Sequence, residues 1–147
     1  MKSATITELK RELKYKSQEQ LMDYCLAMAR FKLESKELLT YLLFESENED
    51  AYITSVKKYI DEEFQTITAT SFFLIKKTVR KILRQTKRYI RYSKKKETEA
   101  ELLIHFANKL KQVTPSISNS RVLTNMYNKQ IELAQKAGDK MIESKGV

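Results

Sequence analysis

Turns are what this chain is least equipped to make. Its 147 residues include two glycines, Gly138 and Gly146, and one proline, Pro115. An all-β fold needs frequent turns, and turns need residues that accept positive φ or fix φ in advance. Their scarcity excludes that class and favours long helices joined by short polar links. A single cysteine, Cys25, excludes an internal disulfide and fits a reducing compartment. No run of 18 apolar residues exists, so no transmembrane helix is expected, and the polar stretch Met1 to Lys10 is not a secretory leader. The expected location is the cytoplasm.

The same scarcity bears on chemistry. His105 is the sole histidine, so any Ser-His-Asp or Cys-His arrangement would have to use it. Cys25 lies far from it in sequence, among apolar neighbours, and reads as a buried, inert thiol. Glu97, Glu101 and His105 follow one another at one-turn spacing, which could make a weak metal site. A boundary histidine with an ordinary partner is the favoured reading. A two-metal carboxylate bundle needs two Glu-x-x-His motifs, which a single histidine rules out. Neither glycine lies in a phosphate loop, and the acidic run Glu45 to Asp50 has no calcium-loop glycine. The eight tyrosines fall mostly at helical core spacing and read as packing residues. The expectation is a protein that is not an enzyme and needs no cofactor or metal.

What is present is helical periodicity. At 41% hydrophobic and 32% charged, the chain can fill a core while staying highly charged outside. A first helix is expected at about Thr7 to Lys14, with Ile6, Leu9 and Leu13 as one stripe. Ser17 and Gln20 form a capping box for a second, Gln18 to Lys32, burying Leu21, Met22, Cys25, Met28, Ala29 and Phe31. Ser35 would cap a third, whose Leu38, Leu39, Tyr41, Leu42, Leu43 and Phe44 predict deep burial. Further helices are expected at Asp50 to Phe64, Phe72 to Lys95, Glu99 to Gln112, and Arg121 to Lys136 or Met141. Pro115 stops the penultimate one and Gly138 terminates or interrupts the last. The fold class is therefore all-α: one domain, 1–147, of six or seven helices in a compact bundle or a short α-solenoid-like array of antiparallel neighbours. The stretch LKRELKYKSQEQLMDYCLAMARFKLESKELLTYLLFE, Leu9 to Glu45, resembles small uncharacterised all-helical bacterial proteins. That resemblance covers about a quarter of the chain and implies a helical domain without an activity.

The net charge of +9 is unevenly distributed. Residues 64–96 hold 11 Lys/Arg and no acid. On a helical wheel, Phe72, Ile75, Val79, Ile82, Leu83, Thr86, Tyr89 and Ile90 share one arc. Lys76, Lys77, Arg80, Lys81, Arg84, Lys87, Arg88, Arg91, Lys94 and Lys95 share the opposite one. Like charges one turn apart repel, so something should offset them. Three readings stand side by side. The acids of residues 45–63 could lie alongside and neutralise the stripe. The stripe could bind nucleic acid, with Lys77, Arg80, Lys81, Arg84, Lys87, Arg88, Arg91 and Lys95 on phosphates and Tyr92 stacking on a base. An acidic protein or an anionic membrane surface could take it instead, peripheral membrane contact being the less favoured. The many apolar faces also predict a protein partner or a homo-oligomer. The leading functional expectation is a non-enzymatic helical interaction module, with a nucleic-acid-binding accessory protein as the alternative.

Overall fold

The computed structural model describes residues 1–144, and every regular element in them is helical. The chain is all-α with seven α-helices among the described residues, and it divides into two compact units, residues 1–43 and 44–147.

The first unit carries α1 (Ile6–Leu13), α2 (Gln18–Phe31) and α3 (Leu33–Thr40). Thr5 caps α1 by accepting a hydrogen bond from the Glu8 amide. The expected capping box opens α2: Ser17 Oγ accepts from the Gln20 amide, and Gln20 Oε1 accepts from the Ser17 amide. Lys32, extended at φ −150°, ends α2 and starts α3. The break thus falls three residues before Ser35, the expected cap, which lies inside α3. A five-residue π-turn follows, Tyr41–Glu45.

Burial in this unit departs from the sequence expectation. No side chain of α1, α2 or α3 is buried. Leu21 and Ala29 are half-buried, whereas Met22, Cys25, Met28 and Phe31 are exposed, Phe31 at 87%. Cys25 is therefore not the buried thiol expected. In the stretch expected to lie deepest, Tyr41 is buried, but Leu42, Leu43 and Phe44 stand 54%, 63% and 77% exposed. Apolar periodicity identifies the face that needs covering; it does not supply the cover.

The second unit holds α4 (Glu49–Gln65), α5 (Phe72–Ser93), α6 (Lys96–Lys111) and α7 (Arg121–Ser144). Asn48 caps α4 through the Ala51 amide. Helix α6 packs against α4, α5 and α7, so it is the centre of the unit. Its Leu102, Phe106, Ala107 and Leu110 are fully buried and Leu103 nearly so. Each large side chain contributes about 1.5–3 kcal/mol by leaving water. From α4 come Ile53, Val56 and Ile60; from α5, Ile75, Val79 and Ile82; from α7, Leu123, Ala134 and Ala137. Phe64 and Phe106 tilt together with ring centroids 5.5 Å apart.

Links here are shorter than expected. Lys94 takes a left-handed conformation, φ 58°, and its amide bonds the Ile90 carbonyl, closing α5. Helix α6 begins two residues later at Lys96, where a link to Thr98 was expected; Thr98 is instead a fully buried helical residue. A 3-10 turn at Ile117–Asn119 leads into α7, which runs through Gly138 without interruption. Glycine costs a helix about 0.5–1 kcal/mol relative to alanine, too little to stop one already anchored by the buried Ala134 and Ala137 just before it.

Candidate nucleic-acid interface

Helix α5 is built as its periodicity dictates. Ile75, Val79, Ile82, Thr86 and Ile90 are buried, and Phe72, Leu83 and Tyr89 are half-buried against the unit. Thr86 is tolerated inside because its hydroxyl donates to the Ile82 carbonyl at 2.8 Å. The α4 contact fixes the rotation of α5. Tyr52 Oη donates to the Tyr89 carbonyl at 2.7 Å, and Tyr89 meets the rings of Tyr52 and Tyr59 edge-on at 6.5 and 5.5 Å. With that face anchored, the opposite one must face water. Lys77, Arg80, Lys81, Arg84, Lys87 and Arg91 are all exposed and lie together along it.

The carboxylates of residues 45–63 do not cover this stripe; several instead tie α4 to α6. Asp61 accepts from His105 Nε2 at 2.6 Å and pairs with Lys109 at 3.6 Å. Lys57 of α4 reaches Glu101 of α6 at 3.3 Å. Glu49 accepts from the buried Thr98 hydroxyl and pairs with Lys95 at 3.9 Å. Glu62 pairs within α4, with Lys58. Among the described residues, no carboxylate lies within 4 Å of Lys76, Lys77, Arg80, Lys81, Arg84, Lys87, Arg91 or Lys94.

Three of the residues singled out in the sequence are engaged elsewhere. Lys95 lies beyond the end of α5, before α6, beside Glu49. Arg88 is half-buried and donates to Gln85 Oε1 at 3.1 Å. Tyr92 is half-buried and edge-on to Tyr89 at 6.2 Å, so its ring already has an aromatic partner. The other six form the coherent surface. One exposed aromatic was missed: Phe73, 76% exposed, falls on the charged arc one turn before Lys77. Its wheel position was the available signal, masked by the apolar run Phe72 to Ile75.

The Glu97, Glu101 and His105 face does not assemble around a metal. His105 turns to Asp61 and Glu101 to Lys57. Among the described residues, no group of three or more His, Cys, Asp or Glu side chains is placed to hold a metal ion. Remote from the stripe, Glu132 on α7 is held below the usual carboxyl range, first by a hydrogen bond from Lys136 and then by the charges of Lys129 and Lys136. A depressed carboxyl stabilises the fold above its unfolded pKa, and that contribution is lost as pH falls through the folded value.

No described helix is long and apolar enough to cross a membrane. Set against protein-family models, curated proteins and solved structures, the chain matches none of them.

Proposed function

We propose that the protein is a non-enzymatic helical interaction module that self-associates through its N-terminal unit. The observation that supports this is the missing core of α1–α3. Isolated helices of 8 to 14 residues are marginal in water. A unit of this size needs apolar cover, a metal or disulfides to persist, and its lone cysteine cannot make an internal disulfide. Among the described residues, fourteen of the twenty exposed large hydrophobic side chains fall within residues 1–43. A standard interface takes about 800 Å², roughly 20–30 residues, from each partner.

A second copy is the occupant that fits. The 44–147 unit has a core of its own, and among the described residues it exposes six large apolar side chains, Phe44, Phe73, Leu74, Ile104, Val122 and Ile142, against fourteen in the first unit. The first unit is the richer apolar surface, and an apolar face that is self-complementary about a two-fold axis covers itself. Ile6, Leu9 and Leu13 of α1 and Leu21 of α2 line one open pocket together with Lys10 and Lys14.

Sedimentation of the full chain across nanomolar to tens-of-micromolar concentrations tests this. The expected result is a dimer or higher species that dissociates on dilution. The double change Leu9→Asp with Phe31→Asp is expected to leave a monomer whose second unit melts as before. A wild-type chain that stays monomeric throughout contradicts the proposal.

A further inference from the structure

The stripe on α5 is unexplained by self-association. It carries no large apolar side chain between Lys77 and Arg91, and it belongs to the other unit. Cations held this close on a rigid helix repel at each i,i+4 step, and no described carboxylate relieves the six exposed ones. Surface lysines on an ordinary helix are interspersed with acids; here there is none from residue 64 to residue 96.

We infer that this face of α5 binds the phosphate backbone of duplex nucleic acid, in a largely sequence-independent way. Charge density is the first argument. From Lys77 to Arg91 the helix advances about 21 Å at 1.5 Å per residue. It presents six exposed cations over that length. Their mean axial spacing is about 4 Å, close to the roughly 3.4 Å per phosphate along one strand of a duplex. Continuity and anchoring are the second. The stripe lies on an uninterrupted 22-residue helix anchored by five buried side chains and the Tyr52 hydrogen bond, so its charges are already aligned and little ordering is lost on binding.

The residue types are the third argument. Arg80, Arg84 and Arg91 lie near the middle of the charged arc, where planar guanidinium groups can clamp phosphate oxygens bidentately. Lys81 and Lys87 lie toward its two edges. No Asn or Gln is on the stripe, so there is no adenine-reading amide pair. Phe73 is the single exposed ring at its head, placed where it could stack against a frayed end. A membrane surface is the poorer match: an interfacial helix lays a broad apolar face into the lipid, whereas the apolar face of α5 is occupied by the protein's own core. The inference does not depend on self-association, although two stripes in one particle would raise the apparent affinity.

The test uses the full chain and a mixed-sequence DNA duplex, with polyglutamate and vesicles of equal parts phosphatidylserine and phosphatidylcholine as rival probes. Duplex binding is expected at low salt, with log K falling against log salt at a slope of about −5 for six phosphate contacts. The variant Arg80→Glu with Arg84→Glu should weaken binding by at least about tenfold and flatten the slope by about 2. The new glutamates lie one turn from Lys76, Lys77, Lys81 and Arg88, so the helix is retained, which circular dichroism checks. The control Arg121→Glu with Lys140→Glu makes the same change of net charge on α7 and should stay within about twofold of wild type. Monomeric Leu9→Asp, Phe31→Asp chains should still bind, which separates this result from that of the self-association test. The inference is overturned by no duplex binding at low salt, by equal or tighter binding of polyglutamate or the vesicles, or by equal losses in the stripe and control variants.

Discussion

Single residues show where sequence and packing part company. Gly138 was expected to stop or interrupt the last helix, yet α7 continues past it, and a methyl group built there meets nothing within 4 Å. Replacing it with alanine should therefore raise stability by about 0.5–1 kcal/mol, chiefly by restricting the unfolded chain; a urea melt showing destabilisation would contradict that placement. Gln130 is the opposite case. It is 3% exposed on α7, and its Oε1 has no hydrogen-bond partner among the described residues. Its neighbours at helical spacing, Met126, Tyr127, Leu133 and Ala134, are apolar, so the wheel places it on the buried arc although its own side chain is polar. His105 could be read in outline: an ordinary partner was expected, but that it is Asp61, 44 positions away, depends on how α4 docks on α6.

Helices were legible because their signals are local. The capping box at Ser17 and the wheel of α5 depend on residues within one or two turns of each other. The exposed cations of α5 follow from the same periodicity. Burial was less legible, because it depends on a second surface. Phe106 and Phe31 illustrate this: each sits on the apolar side of its helix, yet Phe106 is fully buried and Phe31 is 87% exposed. Phe106→Ala should cost about 3–5 kcal/mol. Phe31→Ala, measured at a dilution where the chain is monomeric, should change stability by less than about 0.5 kcal/mol. Chemical denaturation of both variants checks the contrast, and equal losses would mean that Phe31 is covered within its own chain.

The whole molecule combines two surfaces of opposite character on two units. The second unit is complete, with α6 at its centre, and turns a bare cationic stripe outward. The first is an arrangement of short helices whose apolar side chains remain in contact with water. Total composition conceals this division: 41% hydrophobic content suffices for one good core, and the chain spends it on one core and one open face. The net charge is likewise an average over a stripe of +11 and a remainder near neutrality. Self-association is thus an expectation about residues 1–43, and nucleic-acid contact one about α5.

Cys25 offers a reporter within the apolar face itself. It is exposed, and on the α2 wheel it lies between Met22 and Met28, both more than half exposed. The measurement is the rate at which a soluble disulfide reagent modifies this thiol in the native chain, followed from nanomolar to tens-of-micromolar protein. If a second copy covers α1–α3, the rate falls as the concentration rises, and Leu9→Asp with Phe31→Asp restores the fast rate at every concentration. A rate that is fast and independent of concentration in the wild-type chain would show that no second copy covers this face.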